Sequence, residues 1–234
     1  LSMHTEFPNY HMTDLSDQLP AYLESYRKEG LRFDALCTGF LSNPTQAQIA
    51  RSCLQLLKED ALVLIDPVLG DGGRPYPTIT KEIIAQMRSL ASEAGVLLPN
   101  LTELCLLCGR PYPDAFPSRD FLLSCCEELC AAGTSNVVVS GLELDGRCCS
   151  FIYADGKADE VWNEKVGDGR PGSGDVFAAV IAGSLLRHET LHQSVERAAR
   201  FVETAMRQTL QEQIPHAWGL CFEGLLSELM PAAR

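Results

Sequence analysis

Residues 61–67 read Ala-Leu-Val-Leu-Ile-Asp-Pro, an unbroken apolar run closed by an acid and a proline. A strand with one face in water alternates apolar and polar residues. A continuous run belongs instead to a sheet covered on both faces. Shorter strand-like runs recur at 33–39, 96–99 and 136–141. Between them lie segments with helical periodicity. Residues 43–60 place Ile49, Cys53, Leu56 and Leu57 on one face, and residues 80–95, 101–109 and 119–133 are similarly patterned. A first helix is expected over 13–30, capped by Thr13 or Asp14 and stopped by Gly30. Residues 147–154 and 158–166 alternate as a pair of strands around Asp155-Gly156-Lys157. Two closing helices are expected from Asp175 to Leu186 and from Thr190 to Leu210. Strand and helix in alternation require crossover connections. The expected architecture is therefore α/β: a mostly parallel central sheet with helices on both faces, in three α/β/α layers. No repeat, linker or low-complexity tract interrupts it, so residues 1–234 read as a single domain.

In such sheets ligands bind beyond the carboxyl ends of the strands. The loops after residues 67, 100, 140 and 166 are therefore expected to meet in one crevice, and they carry the unusual residues. Residues 166–186 read VGDGRPGSGDVFAAVIAGSLL. Gly172, Ser173 and Gly174 let the backbone approach a ligand and aim several N–H groups one way. They precede a helix, whose N-terminus favours an anion. This reads as a phosphate cradle. An acid at its edge, Asp175, suits a base that takes a proton from an attacking hydroxyl. The competing reading is a tight turn with Asp175 as a helix cap. In LIDPVLGDGG, Asp66 and Asp71 are placed to hold Mg²⁺ or its waters, or else are turn formers. In LLPNLTE, Asn100 and Glu103 stand three apart at a helix start, the spacing of a capping box. Taken together, acid-bearing loops and a glycine cradle are the parts of a phosphoryl-transfer site. The chain has no G-x-x-x-x-G-K-[ST] and no dinucleotide fingerprint.

Composition excludes other classes. The formal charge is 19 minus 31, or −12, and nothing in it offsets repulsion by nucleic acid or an anionic membrane. The longest apolar runs are too short to span a bilayer. Ten cysteines include a C-x-x-C, Cys105 and Cys108, but these share an apolar helical face, and no second pair follows at zinc spacing. With no secretory pattern read, the expectation is a cytoplasmic protein with reduced, mostly core cysteines.

The motifs D-P-V-L-G-D, N-x-x-E and G-S-G-D, in that order and on those elements, resemble the ribokinase-like superfamily. More closely, the chain is similar to the pyridoxal/pyridoxamine kinases, through LSMHTEFP, FDALCTGFL, VLIDPVLGDGG, LLPNLTE, VVVSG, GSGDVFAAVIAGSLL and GLCFEGLL. The resemblance implies ATP-dependent phosphorylation of the hydroxymethyl group of a vitamin B6 vitamer. Asp175 is then the base, and the Gly172–Gly174 amides form the anion hole. Asp66, Asp71, Asn100 and Glu103 organise ATP and Mg²⁺, with Asp66, Asp71 and Glu103 acting on the metal through water. Ser140 and Gly141 form a turn near the nucleotide. Thr5 and Phe40 line the substrate pocket, and Tyr76 covers it. The resemblance also implies a homodimer. Hydroxymethylpyrimidine kinase shares the three motifs and is the second enzyme reading. Family members begin with a strand-helix-strand unit of roughly 30 residues or more ahead of the His4-Thr5 segment. Its lack leads to an expectation of an incomplete substrate half and to a third reading, a catalytically impaired fragment.

Overall fold

The computed structural model describes residues 7–230. The described residues form eight strands and seven α-helices. Four strands run parallel: β1 (Phe33–Thr38), β2 (Leu57–Ile65), β5 (Val96–Leu97) and β6 (Val137–Leu144). Two more, β7 (Arg147–Ala154) and β8 (Lys157–Glu164), continue the sheet antiparallel, giving the order β1-β2-β5-β6-β7-β8. A two-stranded ribbon, β3 (Gly70–Asp71) and β4 (Arg74–Pro75), stands apart.

Successive side chains on the strands point to opposite faces, and each face has its own core. Ile65, Leu97, Val137, Val139 and Phe151 pack with α3 (Lys81–Ala91), α4 (Leu101–Cys108) and α5 (Arg119–Ala131). Leu64, Val96, Leu98, Val138 and Ile152 pack with α6 (Ser173–Leu185) and α7 (Leu191–Gln211). This is the three-layer arrangement that the unbroken apolar runs require.

Several boundaries differ from the sequence expectation. The first helix, α1 (Leu19–Lys28), starts with Pro20 in its first turn rather than at Thr13 or Asp14. Asp14 instead closes a local turn by accepting from Ser16 N at 2.8 Å. The helix α2 (Pro44–Cys53) ends early, and Leu57–Asp60 joins β2. There the β1 partner takes up the backbone, Phe33 opposite Leu57, and Lys58 pairs with Asp34 across the two strands. Pairing of Leu57 with Phe33, rather than helical periodicity, sets where the strand starts; the exposed Lys58–Asp34 pair adds little.

Strand β6 does not stop at Gly141. The register slips by one residue between Val139 and Leu142, so Ser140 and Gly141 together oppose a single residue of β7. Gly141 has φ +68°, the left-handed conformation that glycine takes in a bulge. The expected turn is thus a bulge inside a longer strand. The cysteines are all free, and five of the ten are buried; Cys37 is exposed and four are intermediate. Among the described residues no helix is long and apolar enough to cross a membrane.

Candidate active site

Two helices begin at the carboxyl edge of the sheet, each following a strand. Helix α4 is capped by Asn100, whose side chain accepts from Glu103 N at 2.9 Å. Glu103 answers with Oε2, which accepts from Asn100 N at 2.9 Å. The capping box is therefore closed. Glu103 does more than cap. Its Oε1 accepts from Leu69 N at 2.9 Å, and Gly70 N also donates to the carboxylate. Asn100 Nδ2 donates to Gly70 O at 2.8 Å, and Thr102 Oγ1 accepts from Gly73 N at 2.9 Å. Three side chains of one helical turn thus hold the 69–73 loop and its ribbon.

That loop is strained and tight. Val68 has φ +43°, which a β-branched residue rarely adopts. A Cβ on Gly70 would stand 2.3 Å from Arg74 O, so only glycine fits where the ribbon closes. Asp66, at the end of β2, accepts from Val68 N. Asp71 Oδ1 accepts from Gly72 N at 2.7 Å.

Helix α6 starts differently. Its N-cap is Gly172, with φ +82° and no side-chain cap. Asp175 is the third helical residue, not the cap, so the cap-only reading of this acid fails. Its side chain is exposed and carries no hydrogen bond or ion pair among the described residues. One of its oxygens lies 3.9 Å from where a Cβ on Gly39 would sit, at the end of β1. The residue after Gly39, Phe40, is 41% exposed.

The electrostatics join these parts. Burial pushes the Asp66 carboxyl up to about 8, and the neighbouring Glu103 and Asp175 carboxylates add to the effect. Burial pushes Glu103 up to about 7, against three backbone N–H bonds that pull it down. The Tyr76 hydroxyl is raised to about 12, first by burial and then by Asp71, Glu103, Asp66 and Asp175. Four carboxylates and Tyr76 therefore share one electrostatic neighbourhood, with no Lys or Arg among the causes. Thr5 lies outside the described residues.

A cavity of about 210 Å³ opens beside the cradle. It runs from Ser173 and Gly174 past the Ser140-Gly141 bulge to an apolar floor of Val166, Phe177, Ala199, Val202 and Met206. Glu143 and Lys165, which form an ion pair, sit on its rim. Asp66, Asp71, Glu103 and Asp175 are not part of its wall. Sequence reading missed these floor residues. Ala199, Val202 and Met206 recur at helical spacing and read as ordinary core, and nothing in that spacing tells a cavity wall from a packed interface. Thr102 was missed for a similar reason, since a lone threonine in a helix start carries no pattern.

The arrangement holds a glycine-rich helix start, an unengaged carboxylate in its first turn, an apolar cavity on one side, and crowded acids with Tyr76 on the other. Among known proteins, a phosphomethylpyrimidine kinase family model matches residues 10–217. The chain belongs to this family. It is a pyridoxal kinase-like member of the ribokinase superfamily, and such enzymes are phosphotransferases with an alcohol group as acceptor. Among curated relatives, the hydroxymethylpyrimidine/phosphomethylpyrimidine kinase of Aquifex aeolicus is 25% identical, over 83% of this chain and 73% of its own. The pyridoxine/pyridoxal/pyridoxamine kinase of Bordetella avium is 26% identical, over 89% and 73%. Among solved structures, a phosphomethylpyrimidine kinase-like protein of Bacteroides thetaiotaomicron is 31% identical with a TM-score of 0.93, covering 99% of this chain and 81% of that one. Another crystal form of that protein contains pyridoxal and superposes with a TM-score of 0.91.

Proposed function

We propose that this protein transfers the γ-phosphoryl group of ATP to the hydroxymethyl group of a B6 vitamer. The observation that carries the proposal is the place of Asp175: first turn of α6, unpartnered, next to the cradle glycines and with one oxygen 3.9 Å from where a Cβ on Gly39 would sit, at the β1 end. An acid in a helix start usually spends its oxygens on backbone amides. This one keeps them free to accept a proton. The nucleotide enters the 210 Å³ cavity, with its base on the Phe177–Met206 floor and its phosphates at Ser173 and Gly174. The acceptor alcohol comes from the side of Gly39, Phe40 and Tyr76. Asp175 takes the hydroxyl proton as the oxygen attacks the γ-phosphorus and the bond to the ADP oxygen breaks, releasing ADP; the Gly172 and Gly174 amides hold the charge of the transferring group, while Ser173 N is already spent on Arg170 O.

The residues present fit Mg²⁺ in a particular way. Among the described residues no three His, Cys, Asp or Glu side chains converge as a metal cage. Magnesium keeps several waters and is held by one or two carboxylates plus substrate phosphates. Asp66 and Asp71 fit that role. Glu103 has both oxygens committed to backbone amides, so its part is to hold the loop that presents them. When bound, Mg²⁺ neutralises phosphate charge that would otherwise meet the acidic cluster.

A B6 vitamer is favoured over hydroxymethylpyrimidine by the pyridoxal-containing relative at 31% identity. The pyrimidine reading keeps the support of the Aquifex relative. Purified protein given Mg–ATP and, separately, pyridoxal, pyridoxine, pyridoxamine and hydroxymethylpyrimidine decides between them. The expected product is a B6 5′-phosphate, with kcat/KM for the pyrimidine at least tenfold lower, a difference of about 1.4 kcal/mol in transition-state binding. Pyrimidine phosphorylation at equal or higher kcat/KM would overturn the B6 assignment.

A further inference from the structure

Arg170 lies in the glycine-rich loop, two residues before the cradle, and the reaction gives it no task. Its Nη1 donates to two backbone carbonyls of the segment after α7, Pro215 O at 3.1 Å and Gly219 O at 3.4 Å. A second tie runs the other way, from His216 Nε2 to Gly169 O at 2.8 Å. The third is steric. Gly219 has φ +78° and ψ −148°, a region open essentially to glycine alone. A Cβ there would stand 2.9 Å from Pro171 O. The segment is itself anchored: Leu220 is buried in the α6–α7 core, and Cys221 N donates to the buried Thr209 Oγ1 at 2.9 Å.

The cradle needs such an anchor. A Cβ on Gly172 or Gly174 would meet nothing within 4 Å, so the cradle has little packing of its own. Glycines also lose the most backbone freedom when fixed. Yet amides stabilise a transferring phosphoryl group only if they are aimed before the reaction. We infer that residues 215–220 form a strap that fixes the anion cradle, with Arg170 and Gly219 as its positioning residues. A single guanidinium nitrogen, Nη1, bridges the two carbonyls, and the planar guanidinium is more pre-organised for this than a lysine ammonium on its flexible stem. Arg170 acts on the backbone of this chain rather than on the substrate.

The kinetic arm of the test rests on the kinase reading, and the exchange arm does not. Hydrogen exchange is followed at Ser173 and Val176, whose amides bond to Arg170 O and Gly172 O, in nucleotide-free protein. Arg170→Ala and Gly219→Ala are each expected to speed exchange there by about tenfold or more, while α7 amides keep their rates. Loss of aim is expected to lower kcat by roughly 10–100-fold, with the acceptor KM changed less than about threefold. Arg170→Lys falls between, and millimolar guanidinium restores part of the Arg170→Ala rate. Unchanged exchange in both variants overturns the strap whatever the activity. Faster exchange with wild-type kcat overturns the positioning role. If the wild type phosphorylates no alcohol, the kinase reading fails while the exchange result still judges the strap. Should Arg170→Ala fail to fold, Gly219→Ala and Arg170→Lys carry the same test.

Discussion

Helices α4 and α6 begin at the same edge of the sheet, and each has an acid as its third residue, Glu103 and Asp175. The helix dipole favours both alike. Their fates differ because their caps differ. Asn100 closes a capping box, and Glu103 is 4% exposed with its oxygens spent on three backbone amides. Gly172 has no side chain to cap with, so Asp175 stays exposed with its carboxylate unspent, while Ser173 N and Val176 N bond within the loop and helix, to Arg170 O and Gly172 O. One acid is spent holding the 69–73 loop, and the other is left unspent, as the proposed base must be.

Removing the working acid's basicity should give the largest effect. Asp175→Asn keeps shape but cannot accept a proton. The expected loss in kcat is ~10²–10⁴-fold, with Mg–ATP affinity by calorimetry little changed and thermal stability near wild type. If Asp175→Asn keeps more than about a tenth of kcat, well short of that range, the two acids are not divided in this way.

Glu103→Ala should show the opposite profile, a loss of stability first. It leaves buried amides of Leu69 and Gly70 without an acceptor, and each unsatisfied buried group costs ~1–3 kcal/mol. A loss of roughly 2–3 kcal/mol in denaturant unfolding is expected. Glu103→Gln keeps one acceptor oxygen and should recover part of it. Full stability in Glu103→Ala with lost Mg–ATP binding would make Glu103 a ligand rather than a support.

The smallest effect sharpens the electrostatic side of the comparison. Asp66 is raised to about 8 when folded, against about 4 for a free aspartate. The folded state therefore binds more protons than the unfolded one between pH ~4 and ~8, and this group's contribution to stability falls as pH rises through that window. In metal-free protein, Asp66→Asn should flatten the decline of Tm between pH 5 and 8. Mg²⁺ should raise the wild-type Tm more at pH 8 than at pH 6. A wild-type Tm slope unchanged by Asp66→Asn would show that Asp66 carries none of the proton linkage.

The fold was legible wherever one pattern dominated. The apolar run 61–65 announced a sheet covered on both faces, and the alternating run 147–164 announced a hairpin. It was illegible where two patterns competed. Residues 54–60 carry helical spacing, yet the β1 ladder draws Leu57–Asp60 into a strand. Asp14 looks like a helix cap and instead closes a turn held by Ser16, with Asn43 and Gln46 of the α2 start also donating to it. At the site, the capping-box reading of Asn100 and Glu103 was present in their spacing, since a cap is a local interaction within four residues. That the same carboxylate also holds Leu69, 34 positions away in the chain, was not.

The sequence by itself determined the layered sheet, the loops that gather at its carboxyl edge, and the residue types those loops carry. Local periodicity and glycine placement encode these directly. Only the tertiary structure decided which acid is buried and which is open, that the Ser140-Gly141 step is a bulge rather than a turn, and that Ala199, Val202 and Met206 floor a cavity. It also decided that Gly219 is pressed against the cradle loop. Each of these depends on what a distant segment places beside the residue, and burial, desolvation and close backbone approach are properties of that pairing rather than of any short stretch of chain.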